Sequence, residues 1–186
     1  MSAQAWLSRE QRPAALAILA DLTAAHPTYV PGLILRAQTL EAAGEMQSAQ
    51  EAYRAVLAVS PDEVVSLNNL AYMLVEQPGG AAEALTLARR AYEVTKGAAL
   101  VADTFGWVLF RTGDTAQAVR VLRDAVSRQP ALADLRIHLA RALVGLGDIP
   151  GAKEQWDRAL ALDPAAAKHA HAGPLAETFA AQPVAR

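Results

Sequence analysis

The sequence predicts an all-α protein, folded as a right-handed α-solenoid of antiparallel helical hairpins. Turn residues and small residues recur at a spacing of about 34 residues, and a fixed period of this length is typical of stacked supersecondary units. Apolar residues make up 53% of the 186 residues, whereas aromatic residues make up only 5%. Aliphatic sequences of this kind favour closely packed helices over strands.

Prolines and glycines mark the period and locate one insertion. The recurring prolines are Pro27, Pro61, Pro130 and Pro164, and Lys96 occupies the position of the missing one. The recurring glycines are Gly44, Gly79, Gly113 and Gly147. Both sets indicate a single extra residue, which the glycine spacing places within residues 78–80.

Each period predicts a helix, a tight turn at the glycine, a second helix and a stop at the proline. Glycine adopts the positive φ of a helix C-terminus without steric cost, and Asp114 and Asp148 directly after it are good N-caps. The expected helices span 13–25, 31–43, 46–59, 64–77, 81–94, 99–112, 115–128, 133–146 and 149–162.

Small residues recur at three further positions of the period. One set precedes the glycine: Ala37, Ala71, Gly106 and Ala140. Two sets follow it: Ala49, Ala84, Ala118 and Ala152, then Val56, Ala91, Ala125 and Ala159. Because small side chains let helix axes approach closely, we expect these positions where the two helices of a hairpin cross, with leucine and aromatic side chains between hairpins.

The period divides the chain into an incomplete hairpin, four repeats and a tail. Residues 1–29 are the incomplete N-terminal hairpin, and its first helix is expected at Ser2–Arg9, with Trp6 and Leu7 as apolar contacts. Four repeats follow at 30–63, 64–98, 99–132 and 133–166.

Residues 167–186 are expected to form a partial capping helix and a frayed tail from about residue 182. Pro174 interrupts the helical pattern, so no fifth repeat is predicted. Leu175 and Phe179 are four residues apart and are expected to cover the exposed face of 149–162, including Trp156.

Composition argues against several classes of function. The net charge is -2 and the pI is about 6.1, so the chain lacks the basic surface that nucleic-acid binding normally requires. The chain has no cysteine, which removes disulfides, thiolate nucleophiles and zinc–thiolate sites.

Candidates for catalysis or metal binding are few. His169 and His171 lie two residues apart, point to different faces of a helix and lack a carboxylate pair, so we interpret them as part of a solvated tail. His138 has no nearby nucleophile, and Gly79-Gly80 lacks the rest of a phosphate-binding loop. We therefore expect a noncatalytic protein with no cofactor and no metal.

The small-small-proline pattern resembles the tetratricopeptide repeat, over residues 12–164. It is matched at Gly106, Ala118, Ala125 and Pro130, and again at Ala140, Ala152, Ala159 and Pro164. Within that family, three stretches are similar to C-terminal repeats of large bacterial envelope proteins linked to exopolysaccharide and protein-sorting systems. They are Asn68–Tyr72, Ala88–Tyr92 and Asp103–Leu109.

The resemblance implies that the first helix of each hairpin lines a concave groove and that a peptide or protein ligand binds there. By register, the predicted binding residues are Asn68, Asn69, Tyr72, Asp103, Thr104, Trp107, Arg111, His138 and Arg141, with Ile34, Gln38, Glu41 and Glu76 on the same face. Asparagine amides and aromatic rings suit a peptide ligand. The alternative is that Tyr72 and Trp107 pack between hairpins.

The resemblance also tests one known ligand class. Family members that bind chaperone tails use a carboxylate clamp of Lys, Asn and Arg on successive first helices. Here Asn69 matches the central asparagine, but Ile34, Gln38, Leu100 and Thr104 occupy the other positions. The clamp is therefore not expected.

The expected function is a noncatalytic scaffold or adaptor within a bacterial assembly, related to the envelope or exopolysaccharide. The alternatives are a module that self-assembles through its exposed solenoid ends, or an accessory part of a larger enzyme. Residues 1–10 lack a signal-peptide pattern, and no apolar stretch reaches about 18 residues, so a complete chain would be cytoplasmic. The resemblance implies the periplasm or envelope for a chain excised from a longer exported protein.

Overall fold

The computed structural model describes residues 11–169 and 171–180. Within those ranges the protein consists of ten α-helices and one short 3₁₀ helix, with no strand. The helices are α1 (Arg12–Ala25), α2 (Val30–Ala43), α3 (Met46–Val59), α4 (Val64–Val75), α5 (Ala81–Val94), α6 (Ala99–Arg111), α7 (Thr115–Arg128), α8 (Ala133–Leu146), α9 (Ile149–Leu162), the 3₁₀ helix Pro164–Lys168, and α10 (Gly173–Ala180).

The all-α prediction is confirmed, and the predicted helix bounds hold to within two residues. The largest difference is α4, which ends at Val75 instead of residue 77. Pro78 explains it, because the residue before a proline is steered away from the helical region. The predictions for Ser2–Arg9 and for the tail from residue 182 lie outside the described residues.

The predicted turns and caps form as expected. The four recurring glycines all have positive φ, between 82° and 97°. The carboxylate of Asp114 accepts a hydrogen bond from the main-chain N–H of Gln117, and that of Asp148 accepts one from Gly151. Each of these bonds satisfies an N–H group that the first turn of a helix leaves free.

The small residues lie at the helix crossings. All the recurring alanines, and Val56, are fully buried. At Gly106 on α6, an added Cβ atom would lie only 2.5 Å from Cγ of Leu122 on α7. The close approach of α6 and α7 therefore depends on the missing side chain.

Successive hairpins stack so that their first helices lie side by side. α4 contacts α6, and α6 contacts α8, in addition to the contacts between neighbouring helices of the chain. One core cluster extends from Ala37 to Phe179, so the stacked hairpins share a continuous interior. This is the arrangement of an α-solenoid, in which each unit buries its apolar face against the next.

The C-terminal helix covers part of the last hairpin. Leu175 and Phe179 are buried in the same cluster as Trp156. α10 packs on α8 and on the 3₁₀ helix, and it approaches α9 through Phe179, whose ring lies 5.9 Å from Nζ of Lys153. The 3₁₀ helix turns the chain back toward α8 before α10 begins. The last hairpin is thus partly covered.

Among the described residues, no helix has the length and apolar character needed to cross a membrane.

Candidate functional site

The predicted binding residues lie on α4, α6 and α8, and Glu76 follows directly after the last residue of α4. We call the surface shared by these three helices the groove. A cleft of about 380 Å³ opens in it, lined by Tyr72, Asp103, Asp134, His138, His169 and His171. Two of these lining residues, His169 and His171, follow the last repeat and do not belong to the three helices.

At the α4 end of the groove, asparagine amides are engaged by other side chains. Nδ2 of Asn69 donates to the hydroxyl of Tyr53 at 2.9 Å, and that hydroxyl donates to Oε2 of Glu41 at 2.6 Å. Nδ2 of Asn68 donates to Oδ1 of Asn69 at 3.3 Å, while Oδ1 of Asn68 is buried and has no hydrogen-bond partner within residues 11–169 and 171–180. Burial, together with the Glu41 hydrogen bond, raises the pKa of Tyr53 well above its usual value.

Trp107 forms the centre of the groove, and its side chain is 0% exposed. Its indole N–H donates to Oε1 of Glu76 at 2.8 Å, and Arg111 donates to the same carboxylate at 2.6 Å. Burial raises the pKa of Glu76, but the hydrogen bonds from Trp107 and Arg111 outweigh it, so the net pKa lies below the usual value. Glu76 thus orients both the ring and the guanidinium.

One face of Trp107 packs against α8. The imidazole of His138 stacks on the indole with a centroid distance of 4.7 Å and an interplanar angle of 24°. Nδ1 of His138 and Oδ1 of Asp103 are 2.7 Å apart, which fixes the orientation of the imidazole. The alternative, that Trp107 packs between hairpins, therefore describes its contact with α8.

The imidazole of His171 also packs against Trp107, next to that of His138, with the two imidazole centroids 5.4 Å apart. The ring centroids of His171 and Trp107 are 4.1 Å apart, and Nε2 of His171 lies 2.8 Å from the hydroxyl of Tyr72. Nη1 of Arg141 donates to the main-chain carbonyl of His171 at 2.8 Å, and its guanidinium lies 5.7 Å from the Trp107 ring. Tyr72, Trp107 and Arg141 thus hold both the side chain and the main-chain carbonyl of His171.

His169 is held by two carboxylates. Nδ1 lies 2.7 Å from Oδ1 of Asp134, and Nε2 lies 2.9 Å from Oδ2 of Asp163. Ala172, just beyond His171, is fully buried. We call His169, His171 and Ala172 the histidine segment. The interpretation of His169 and His171 as part of a solvated tail is wrong, because the chain turns back at the 3₁₀ helix and docks these side chains in the groove.

The environment of His171 favours its neutral form. Desolvation, followed by the charge of His138, lowers the pKa of His171. Burial, with the nearby charge of Glu76, raises the pKa of Tyr72 to about 12, so the phenol stays protonated. The charged or titratable groups around His171 are Tyr72, Glu76, Asp103, Arg111, Asp134, His138, Arg141 and His169.

The side chain of Thr104 is buried, with 7% exposed, as are those of the groove residues Trp107 and His138, with 0% and 6% exposed. Thr104 lies three residues before Trp107 on α6 and therefore shares its side of the helix.

Among the described residues, no group of three His, Asp or Glu side chains has the geometry to hold a metal ion. The histidines of the groove are each turned toward a carboxylate or a phenol. What the arrangement does offer is a slot for one planar ring, a donor for a main-chain carbonyl and two carboxylates for a basic side chain.

The sequence signals for the groove and for the histidine segment differ. Helix register was enough to place Tyr72, Trp107 and Arg141 on one face. Tyr53 and Asp134 were missed, although their positions on predicted helices bring them near that face. His171 is 99 residues from Tyr72 in the chain, and it lies after the last repeat, where register no longer applies.

Comparison with known proteins agrees with this architecture. Two family models, both described as tetratricopeptide repeat, match residues 34–99 and 109–172. Together they extend from within α2 to the histidine segment, except for residues 100–108 of α6.

Two relatives share part of their length with this chain. A TPR repeat-containing protein of Pseudomonas aeruginosa, PA4667, is 27% identical over 130 residues, which are 70% of this chain and 22% of the relative. Cellulose synthase 1 operon protein C of Komagataeibacter xylinus is 30% identical over 148 residues, which are 78% of this chain and 11% of the relative. The chain thus spans less than a quarter of either relative.

Solved structures share the fold. MamA of Desulfovibrio magneticus RS-1 has a TM-score of 0.73 at 17% identity, over 84% of this chain and 88% of that one. YrrB, described as a TPR protein with an unusual peptide-binding site, has a TM-score of 0.70 at 17% identity, over 90% of this chain and 84% of that one. With the two family matches and the stacked hairpins of α2–α9, these findings show that the chain belongs to the tetratricopeptide repeat family.

Proposed function

We propose that this protein is a noncatalytic interaction adaptor that holds an extended peptide segment of a partner protein in the groove. A family built from such repeats presents a continuous inner surface, and specificity depends on the side chains that line it. Here those side chains are Tyr72, Trp107, Arg111, His138 and Arg141.

The observation that carries the proposal is the way in which the groove holds the histidine segment. Arg141 donates to a main-chain carbonyl, and every peptide has such a group. Tyr72 and Trp107 contact a ring side chain of the same residue. A surface that binds both the backbone and one side chain of an irregular segment has the contacts that peptide recognition needs.

The cellular setting belongs to the proposal as well. The similarity to cellulose synthase 1 operon protein C of Komagataeibacter xylinus supports a bacterial multiprotein assembly connected with exopolysaccharide. We assign the chain an adaptor role in such an assembly, with binding residues Asn68, Asn69, Tyr72, Asp103, Thr104, Trp107, Arg111, His138 and Arg141.

Photo-crosslinking in the source cell tests the proposal. A benzoyl-phenylalanine replaces Gln38 on α2, one helical turn before Glu41, which accepts a hydrogen bond from Asn69 at the α4 end of the groove. In a second chain it replaces Arg120, an exposed residue of α7. We expect the first chain to crosslink to a single stretch of one partner, as mapped by mass spectrometry, and the second chain not to. The same partners at both positions, or none at Gln38, would contradict groove binding.

A further inference from the structure

The slot that holds His171 is shaped for a planar ring. Trp107 lies on one side at a centroid distance of 4.1 Å, His138 lies 5.4 Å away, and Tyr72 contacts the ring edge-on at 6.0 Å. The Tyr72 hydroxyl lies 2.8 Å from the ring nitrogen. Aromatic and imidazole rings gain favourable energy in such tilted and edge-on arrangements.

A second contact holds His169, two residues before His171. His169 lies between Asp134 and Asp163, with nitrogen–oxygen distances of 2.7 Å and 2.9 Å. Two carboxylates around one side chain form an acceptor site for a basic group, and charge-assisted hydrogen bonds are stronger than neutral ones. Together the two contacts describe a short pattern, namely a basic residue, any residue and a ring residue.

The histidine segment matches this pattern, but its backbone is strained at His171. His171 has a φ of 68°, in the left-handed region that non-glycine residues rarely adopt. Burial of its imidazole also lowers the pKa of His171, which reflects the cost of desolvating the charged form. A peptide that supplies the same side chains without the left-handed residue avoids part of this cost.

From these contacts, and resting on the proposed groove function, we infer that the histidine segment is an internal ligand that keeps the groove closed. The partner is a peptide segment of another protein with the pattern basic–any–ring. Its ring replaces the imidazole of His171 between Tyr72 and Trp107, its basic side chain replaces His169 at Asp134, and its carbonyl accepts from Arg141.

When the histidine segment occupies the groove of its own chain, the apparent affinity for such a peptide falls, because only the fraction of the protein with an open groove can bind it. The effective concentration of a tethered segment is high, of the order of millimolar for a short connection. Loss of the internal ring and basic contacts therefore raises affinity for a peptide added in trans.

The test uses the full chain and a labelled peptide of residues 165–174, which carries the basic–any–ring pattern at positions 169–171. Binding is measured by fluorescence anisotropy. The receptor variant is His169→Ala/His171→Ala, and the matched control is His26→Ala, an exposed histidine on another part of the chain. Circular dichroism establishes that the variants are helical, and single His171→Ala replaces the double variant if the latter fails to fold.

We expect the His169→Ala/His171→Ala chain to bind the peptide at least about tenfold more tightly than the wild type or His26→Ala. Within the peptide, alanine in place of His171 should weaken binding at least about tenfold, whereas tryptophan should preserve it. Adding Tyr72→Phe to the receptor should weaken binding of the histidine peptide several-fold.

Equal affinity for the double variant and the wild type, or for the peptide with and without the ring, would overturn the inference. A wild-type dimer that becomes a monomer in the double variant would show that the segment binds a second copy, and this also contradicts it. If the peptide fails to bind but the crosslink from Gln38 persists, the internal-ligand inference falls and the proposed adaptor function stands. If the peptide binds as expected but no crosslink forms from Gln38, the adaptor function alone is rejected.

Discussion

Replacing Trp107 by alanine should lower the free energy of unfolding by about 3–5 kcal/mol. The indole is fully buried, with the rings of His138 and His171 packed against it, and its removal leaves a large cavity on α6. It also leaves the half-buried carboxylate of Glu76 without one of its donors. For a chain of this size each 1 kcal/mol corresponds to about 2–4 °C, so the Tm should fall by roughly 6–20 °C.

Thermal and urea unfolding, followed by circular dichroism at pH 7.5, measures this change. The matched control is Leu100→Ala on the same helix, because the Leu100 side chain is 67% exposed. The control should change stability by no more than about 0.5 kcal/mol. If Trp107→Ala costs less than about 1 kcal/mol, the indole lies in an open groove and the account of a closed groove is wrong.

Three further changes have defined outcomes. Gly106→Ala should cost about 1–3 kcal/mol in urea unfolding, since the new Cβ would lie 2.5 Å from Cγ of Leu122, and unchanged stability would contradict this close packing. Because the pKa of His171 is lowered in the folded state, the stabilisation by its neutral imidazole is fully present above pH 6.5. Below pH 6.5 the free energy of unfolding should fall by at most about 1.4 kcal/mol per pH unit as a result. The stability difference between the wild type and His171→Gln, compared at pH 7.5 and pH 5, measures this loss. Glu76→Gln should cost about 0.5–1 kcal/mol at pH 7. Because the pKa of Glu76 is lowered in the folded state, this cost should shrink as the pH falls below 4.5, and a cost in urea unfolding that does not fall with pH would refute this.

Local rules made most of the fold predictable. Gly44 and Gly147 mark turns because a positive φ is cheap for glycine, and the alanines mark crossings because helices approach closely only over small side chains. These rules act within one period of the sequence. Each period therefore repeats the same information, and the helix bounds follow from it.

The occupant of the groove was not predictable in this way. The contact between Tyr72 and His171 joins residues 99 positions apart and depends on the direction in which the 3₁₀ helix turns the chain. No periodic pattern encodes that direction. The burial of His138 and Thr104 was not predictable for a related reason, because register assigns a helix face but not the width of the face that neighbouring helices cover.

The central claim is that His171 closes the groove by packing on Trp107 in solution. Proton NMR of the full chain tests it most directly, with the exposed His26 as an internal reference. The account predicts nuclear Overhauser contacts between the imidazole of His171 and the indole of Trp107, and ring protons of His171 displaced from those of His26. Signals of His171 that coincide with those of His26, with no contact to the indole, would contradict it.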